Sequence, residues 1–218
     1  MMRKEKMTYY FSVEGETEKW YLEWLQHLIN QTTDARYSVK FDCQIQKDPL
    51  KRAKRILAIY KTEIIHVMDR ESEEAVHVQR FEYALDRMKT AEKFRKSIKY
   101  RLGYCNFSFE LWIVLHKAEC NGLLSHRRQY LPFLNRAFVE QFENLEQYKQ
   151  KANFKRILSK LTIDDVCQAI RRSKYIMQTK QEHSPALRQY KGYKYYTENP
   201  SLSVWEIIEI ILKDCGLI

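Results

Sequence analysis

Three places in this 218-residue chain put carboxylates where they could act together. Glu14 is followed at once by Gly15, Asp69 and Glu71 flank Arg70, and Glu110 stands inside the apolar block from Ser108 to His116. Carboxylates gathered at one point repel one another unless a cation neutralises them. Mg²⁺ suits such a place, because it takes one or two carboxylates and fills its other positions with water and phosphate oxygens. A cation so held polarises a phosphodiester and stabilises the leaving oxygen, while a remaining carboxylate moves protons. The chemistry within reach is phosphodiester hydrolysis. Any one of these acids alone is better explained as a helix start, since acids favour helix N-termini. Glu16, Glu18, Glu73 and Glu74 are read in that way.

The elements around these acids must bring them to one edge. Met7 to Val13 is rich in aromatic and β-branched residues and reads as a buried strand ending at Glu14-Gly15. Thr17 then caps a helix carrying Trp20, Tyr21, Trp24, Leu25 and Leu28 on one face. Tyr37 to Ile45 alternates as a second strand. Pro49 opens a basic helix with Leu50, Ala53, Ile56, Leu57 and Tyr60. Glu63 to Met68 is a third strand, ending at Asp69. A helix from Glu73 to Met88 follows, with Val76, Phe81, Ala84, Leu85 and Met88 as its core side. Lys99 to Cys105 is a fourth strand, and Ser108 to His116 a compact apolar helix. This alternation predicts an α/β fold with a largely parallel sheet and helices on both faces. In such sheets ligands bind outside the carboxyl ends of the strands, where the acids would lie.

Beyond residue 118 helical patterns dominate: Leu145 to Leu161, Asp164 to Gln178 and Ser203 to Lys213, with no further strand expected. The predicted organisation is a catalytic α/β part over 1–118 and a basic, mainly helical part over 119–218 packed on it. Lys and Arg number 38 against 28 Asp and Glu, a net charge of +10, and the segment Lys149–Lys194 holds twelve of the bases against three acids. Such a surplus suits a polyanion such as nucleic acid. Arg171, Arg172, Lys174 and Lys191, with tyrosines interleaved, are the expected phosphate contacts, and Arg70 is a further candidate. A solvated basic face anchored by tyrosines would read the same way. Asn106 could cap the helix after the fourth strand or meet substrate. His116 lies six residues after Glu110, off its helical face, and reads as a structural hydrogen-bonder.

The five cysteines form no CxxC pair, which suits reduced thiols in a cytoplasm. No apolar run approaches the roughly 18 residues of a membrane span, and none follows the first charges as a leader would. No P-loop, GxGxxG or Ser/His/Asp arrangement is recognisable.

Val13-Glu14-Gly15-Glu16-Thr17-Glu18 followed by Trp20-Tyr21 resembles the opening of the RloB/AbiLii-type proteins of bacterial phage defence. Met68-Asp69-Arg70-Glu71 resembles their Asp-x-Asp. Asn106-Phe107-Ser108-Phe109-Glu110-Leu111-Trp112 with His116 resembles a third block, and Asn199-Pro200-Ser201 a fourth. Two residues depart from the pattern: Glu71 stands for Asp and Phe107 for Pro.

The resemblance implies a Toprim-like fold and a Mg²⁺- or Mn²⁺-dependent nuclease. Glu14 would be the general acid/base, Asp69 and Glu71 would hold the metal together with Glu14, and Glu110 would be an outer member. DNA or RNA, tRNA included, would be the substrate, and a protein of the same defence operon a partner. The same metal site could instead serve nucleotidyl transfer. The alternative of another class is a non-catalytic subunit that binds nucleic acid or a partner through a relic metal site.

Overall fold

The computed structural model describes residues 4–57, 60–183 and 186–218. Its central sheet has the order β2-β1-β3-β4-β7, formed by β1 (Lys6–Val13), β2 (Ser38–Ile45), β3 (Thr62–Asp69), β4 (Ile98–Asn106) and β7 (Ser201–Leu202). The first four strands run parallel, and β7 pairs antiparallel with the end of β4 through Cys105–Leu202 and Asn106–Ser201. The crossovers are α1 (Glu16–Gln31), α2 (Pro49–Arg55) and α3 (Ala75–Phe94). This is the predicted α/β class with a mostly parallel sheet.

Alternate side chains feed two cores. Phe11, Val13, Ile65, Val67 and Cys105 face the larger one, and Ile64, Met68, Leu102 and Tyr104 the smaller. The helices α2 and α3 cover the smaller core. On the larger side α1 packs with α4 (Glu110–Leu115), α5 (Tyr130–Phe138), α6 (Leu145–Tyr148), α7 (Lys151–Leu158), α8 (Ile163–His183) and α9 (Val204–Asp214). That larger core joins residues from before and after position 118, from Phe11 to Leu212.

The later half departs from the sequence reading. Three strands lie where none was expected: β7, and the hairpin of β5 (Leu187–Tyr190) with β6 (Tyr193–Tyr196). At two to four residues they are too short for a periodicity to register. The hairpin turns on Lys191 and Gly192, both at positive φ, as a two-residue connection demands. The helix expected over Leu145 to Leu161 is two, broken at Lys149 and Gln150. The helix expected to reach Tyr60 covers Pro49–Arg55; residues 58 and 59 of that stretch lie outside the described residues, as do 1–3 at the start of the chain. Leu57, Tyr60 and Val76, expected on core faces, are exposed. Among the described residues no helix is long and apolar enough to cross a membrane.

The strand order fixes where a site can form. From β1 the chain passes to β2 on one side and then to β3 on the other, so the order reverses between β1 and β3. The crevice at such a reversal opens at the strand C-termini, between Val13 and Asp69.

Because α9 packs into the same core as β1, its loss should be felt globally. Ile208→Ala, at a fully buried position, should cost about 2–5 kcal/mol in urea unfolding and keep a single transition. Two separable transitions would show that the halves fold independently.

Candidate active site

Glu14 follows β1 directly, and its Oε2 accepts a hydrogen bond from the Asp69 backbone N–H at 3.1 Å. The carboxylate thus bridges the two strand ends at the reversal. Gly15 turns the chain into α1, and a Cβ there would stand 3.1 Å from Glu18 Oε2. The missing side chain is what lets the Glu18 carboxylate fold back beside the turn. Burial raises the Glu14 carboxyl to about 7, with Glu18 and Glu71 pushing the same way and the Asp69 N–H and Lys47 opposing.

Deeper in, Glu18, Asp69 and Glu110 form the acidic centre. Glu18 is buried, accepting from the Thr17 hydroxyl at 3.2 Å, and Glu110 is 1% exposed at the first residue of α4. Burial holds the Asp69 carboxyl well above its ordinary range, and the charges of Glu18, Glu110 and Glu14 push it further. Glu18 is raised for the same reasons, burial first and Glu110 next. One cation answers them: the Lys149 ammonium lies 3.0 Å from Glu110 Oε1. Burial alone would lower this ammonium, but Glu110, Asp69 and Glu18 together hold it above its usual value. Glu110 Oε2 and the Tyr148 hydroxyl are buried without a hydrogen-bond partner.

Glu71 lines one small cavity together with Glu14, Asp69 and Arg80. It meets His77 Nε2 and Arg80 Nη1 at 3.5 Å and Arg127 Nη1 at 3.4 Å, forming a charged rim with Glu14 alongside.

Among the described residues no three His, Cys, Asp or Glu groups already converge as ligands on one point. The chemistry of the donor set nevertheless fits a hard divalent cation. All the candidates are oxygen donors, their mutual repulsion calls for positive charge, and Glu110 keeps one carboxylate oxygen unpartnered. Glu18, Asp69 and Glu110 are the residues that would hold such an ion, with Glu14 at its edge.

The remaining candidates are scattered. Arg70 is buried; its guanidinium donates to the Thr197 carbonyl at 2.7 Å and pairs with Glu73 at 2.6 Å, tying the loop after β3 to the bend between the hairpin and β7. Asn106 is buried and donates to the same Thr197 carbonyl at 2.9 Å. His116 lies between the Tyr21 hydroxyl at 3.1 Å and the Trp112 carbonyl at 2.9 Å, and burial lowers it to about 4, so it is a neutral structural group. Arg172 donates to the Leu115 carbonyl at 2.7 Å, closing the end of α4. Arg171 and Lys174 lie beside α9 on the larger-core side, with Lys174 paired to Glu209. Lys191 pairs with Asp86 of α3 on the opposite side of the sheet. These bases therefore do not form one surface.

Sequence reasoning missed Glu18, Lys149, Arg80 and Arg127. Glu18 had a signal, since it stands only four residues after Glu14, in the first turn of the helix that Gly15 opens. The others had none, because only the fold brings them near.

A family model described as RloB-like protein matches residues 9–211. Neither the curated proteins nor the solved structures include a match to this chain.

The raised Glu14 carboxyl has a measurable consequence. Between its ordinary value of 4.5 and about 7 the unfolded chain has lost a proton that the folded protein keeps. Stability in metal-free buffer should therefore fall as pH rises through that window, by up to about 3 kcal/mol for this group at roughly 1.4 kcal/mol per unit. Asp69 and Glu18 act in the same direction. Urea unfolding in EDTA at pH 5 and pH 8 measures the drop, and Glu14→Gln should make it smaller. An undiminished drop in that variant would contradict the assignment.

Proposed function

This chain belongs to the RloB-like family, and from that membership and the site's geometry we propose that it is a metal-dependent nuclease that hydrolyses phosphodiester bonds. The observation that carries the reading is that Asp69, beside the order reversal of the sheet, lies within the field of Glu18, Glu110 and Glu14, with Lys149 paired to Glu110. A chain gains no stability from burying like charges together, so such a cluster is a functional device.

The roles follow from position. Glu18, Asp69 and Glu110 would hold Mg²⁺ or Mn²⁺, which when bound would polarise the phosphodiester and stabilise the charge of the leaving oxygen. Glu14 is the proton-transfer group: a carboxyl raised to about 7 is suited to both taking and giving a proton near neutral pH. Arg80 and Arg127, half to more than half exposed and held beside the centre by Glu71, are placed to meet the phosphates on either side of the scissile one. Glu71 serves as their counter-ion.

The family resemblance supports the wider part of the proposal. It supports phage defence in a cytoplasm as the setting, with DNA or RNA, tRNA included, as the proposed substrate and a protein of the same defence system as the proposed partner. The five free thiols agree with a reducing compartment.

The test uses labelled single-stranded and duplex DNA, tRNA and total RNA, each incubated with Mg²⁺, Mn²⁺ or EDTA. Cleavage of at least one substrate should require the metal. Asp69→Asn should abolish it, and Glu14→Gln should lower its rate by about 10²–10⁴-fold, the usual share of a general acid–base group. Both variants should remain folded. Cleavage that persists at full rate in Asp69→Asn would place the chemistry elsewhere.

A further inference from the structure

Lys149 is an unusual residue to find at an acidic centre that takes a divalent cation. It sits in the break between α6 and α7, outside both helices, with its backbone fixed by its neighbour Tyr148. The Tyr148 ring is wholly buried and packs edge-on against Phe142 and Phe154, at 5.8 and 5.5 Å between centroids. The lysine side chain itself is 38% exposed, while the Glu110 carboxylate it reaches is 1% exposed. A flexible four-carbon stem therefore runs from solvent into the centre, on an anchored base. Its ammonium faces Glu110 at 3.0 Å, with Asp69 and Glu18 close enough to act on it. Two wholly buried polar atoms stand unpartnered beside it, Glu110 Oε2 and the Tyr148 hydroxyl, and the latter is within the field of both Glu110 and Glu18.

We propose that Lys149 is a tethered counter-ion that occupies the acidic centre at rest, and that a divalent cation enters by displacing its ammonium toward solvent. This rests on the metal-dependent reading above and adds to it a competition built into the chain. Both cations seek the Glu110 carboxylate, and an ammonium 3.0 Å from one of its oxygens stands close enough to a divalent ion bound at that group to be repelled by it. The apparent affinity for the metal is then the intrinsic affinity multiplied by the fraction of molecules in which the lysine has withdrawn. The resting pair also explains how the cluster stays folded without metal, since each buried carboxylate left unpaired is strongly destabilising.

Two measurements on the full chain test this. In the first, wild-type protein is treated briefly with an amine-acylating reagent with and without Mg²⁺, and modification of Lys149 is read by mass spectrometry against the other lysines. Mg²⁺ should raise Lys149 labelling severalfold and leave lysines remote from the centre unchanged. In the second, Mn²⁺ binding to wild type and to Lys149→Met is compared by calorimetry. The variant should bind about tenfold more tightly or better, in line with the coupling measured for close charge pairs. Labelling of Lys149 that stays constant while wild type binds the metal would overturn the competition and leave the metal site standing. So would equal or weaker binding by Lys149→Met. Absence of Mn²⁺ binding in both proteins would overturn the competition and the metal-dependent reading together. Should Lys149→Met fail to fold, the labelling of wild type decides alone.

Discussion

The ion pair between Lys149 and Glu110 is the interaction on which the centre depends. Three carboxylates drawn out of water toward one another are costly, and a single ammonium offsets only part of the charge. Burial first, and the neighbouring carboxylates next, raise Asp69 and Glu18. Every element nearby contributes to this balance. The end of β1 and Gly15 return Glu18 to the turn, β3 delivers Asp69, α4 delivers Glu110, and the break between α6 and α7 delivers Lys149. The C-terminal half thus supplies both a strand to the sheet and the cation of the site.

Much of this was legible in the sequence, and the reasons for success and failure differ. Glu14, Asp69 and Glu110 could be placed because strand ends are marked by apolar runs that stop at an acid. Glu18 was passed over because an acid in the first turn of a helix has a common explanation of its own. Glu71 was read from its spacing to Asp69; Arg70 between them is anchored inward on the Thr197 carbonyl, while Glu71 shares a cavity with Glu14 and Asp69 and meets Arg127. Lys149 lies far along the chain from every acid it serves, so no local pattern could reveal it. The hairpin carried one signal, Lys191-Gly192 between tyrosines, weaker than an Asn-Gly and set within a basic stretch that read as helix.

The charge count of the basic segment is a local quantity. The bases of the segment 149–194 outnumber its own acids, yet many find acids supplied by other elements. Arg156 and Lys160 meet Glu140, Lys174 meets Glu209, and Lys191 meets Asp86. Local surplus is therefore not the same as free positive surface. Such exposed pairs are worth only about 0–1 kcal/mol, so a polyanion can compete for them, but they do not converge on the acids. Arg80 of α3 and Arg127 of the turn before α5 meet Glu71 instead.

The central claim is that Glu18, Asp69 and Glu110 together hold a divalent cation. It is tested most directly by crystals grown or soaked in Mn²⁺ and measured for anomalous scattering. The account predicts a peak in contact with oxygens of Asp69 and Glu110, about 2 Å from each, with Glu18 beside it and the Lys149 ammonium moved away. A peak held by Glu71 instead, or none at the acidic centre with Lys149 still on Glu110, would contradict it.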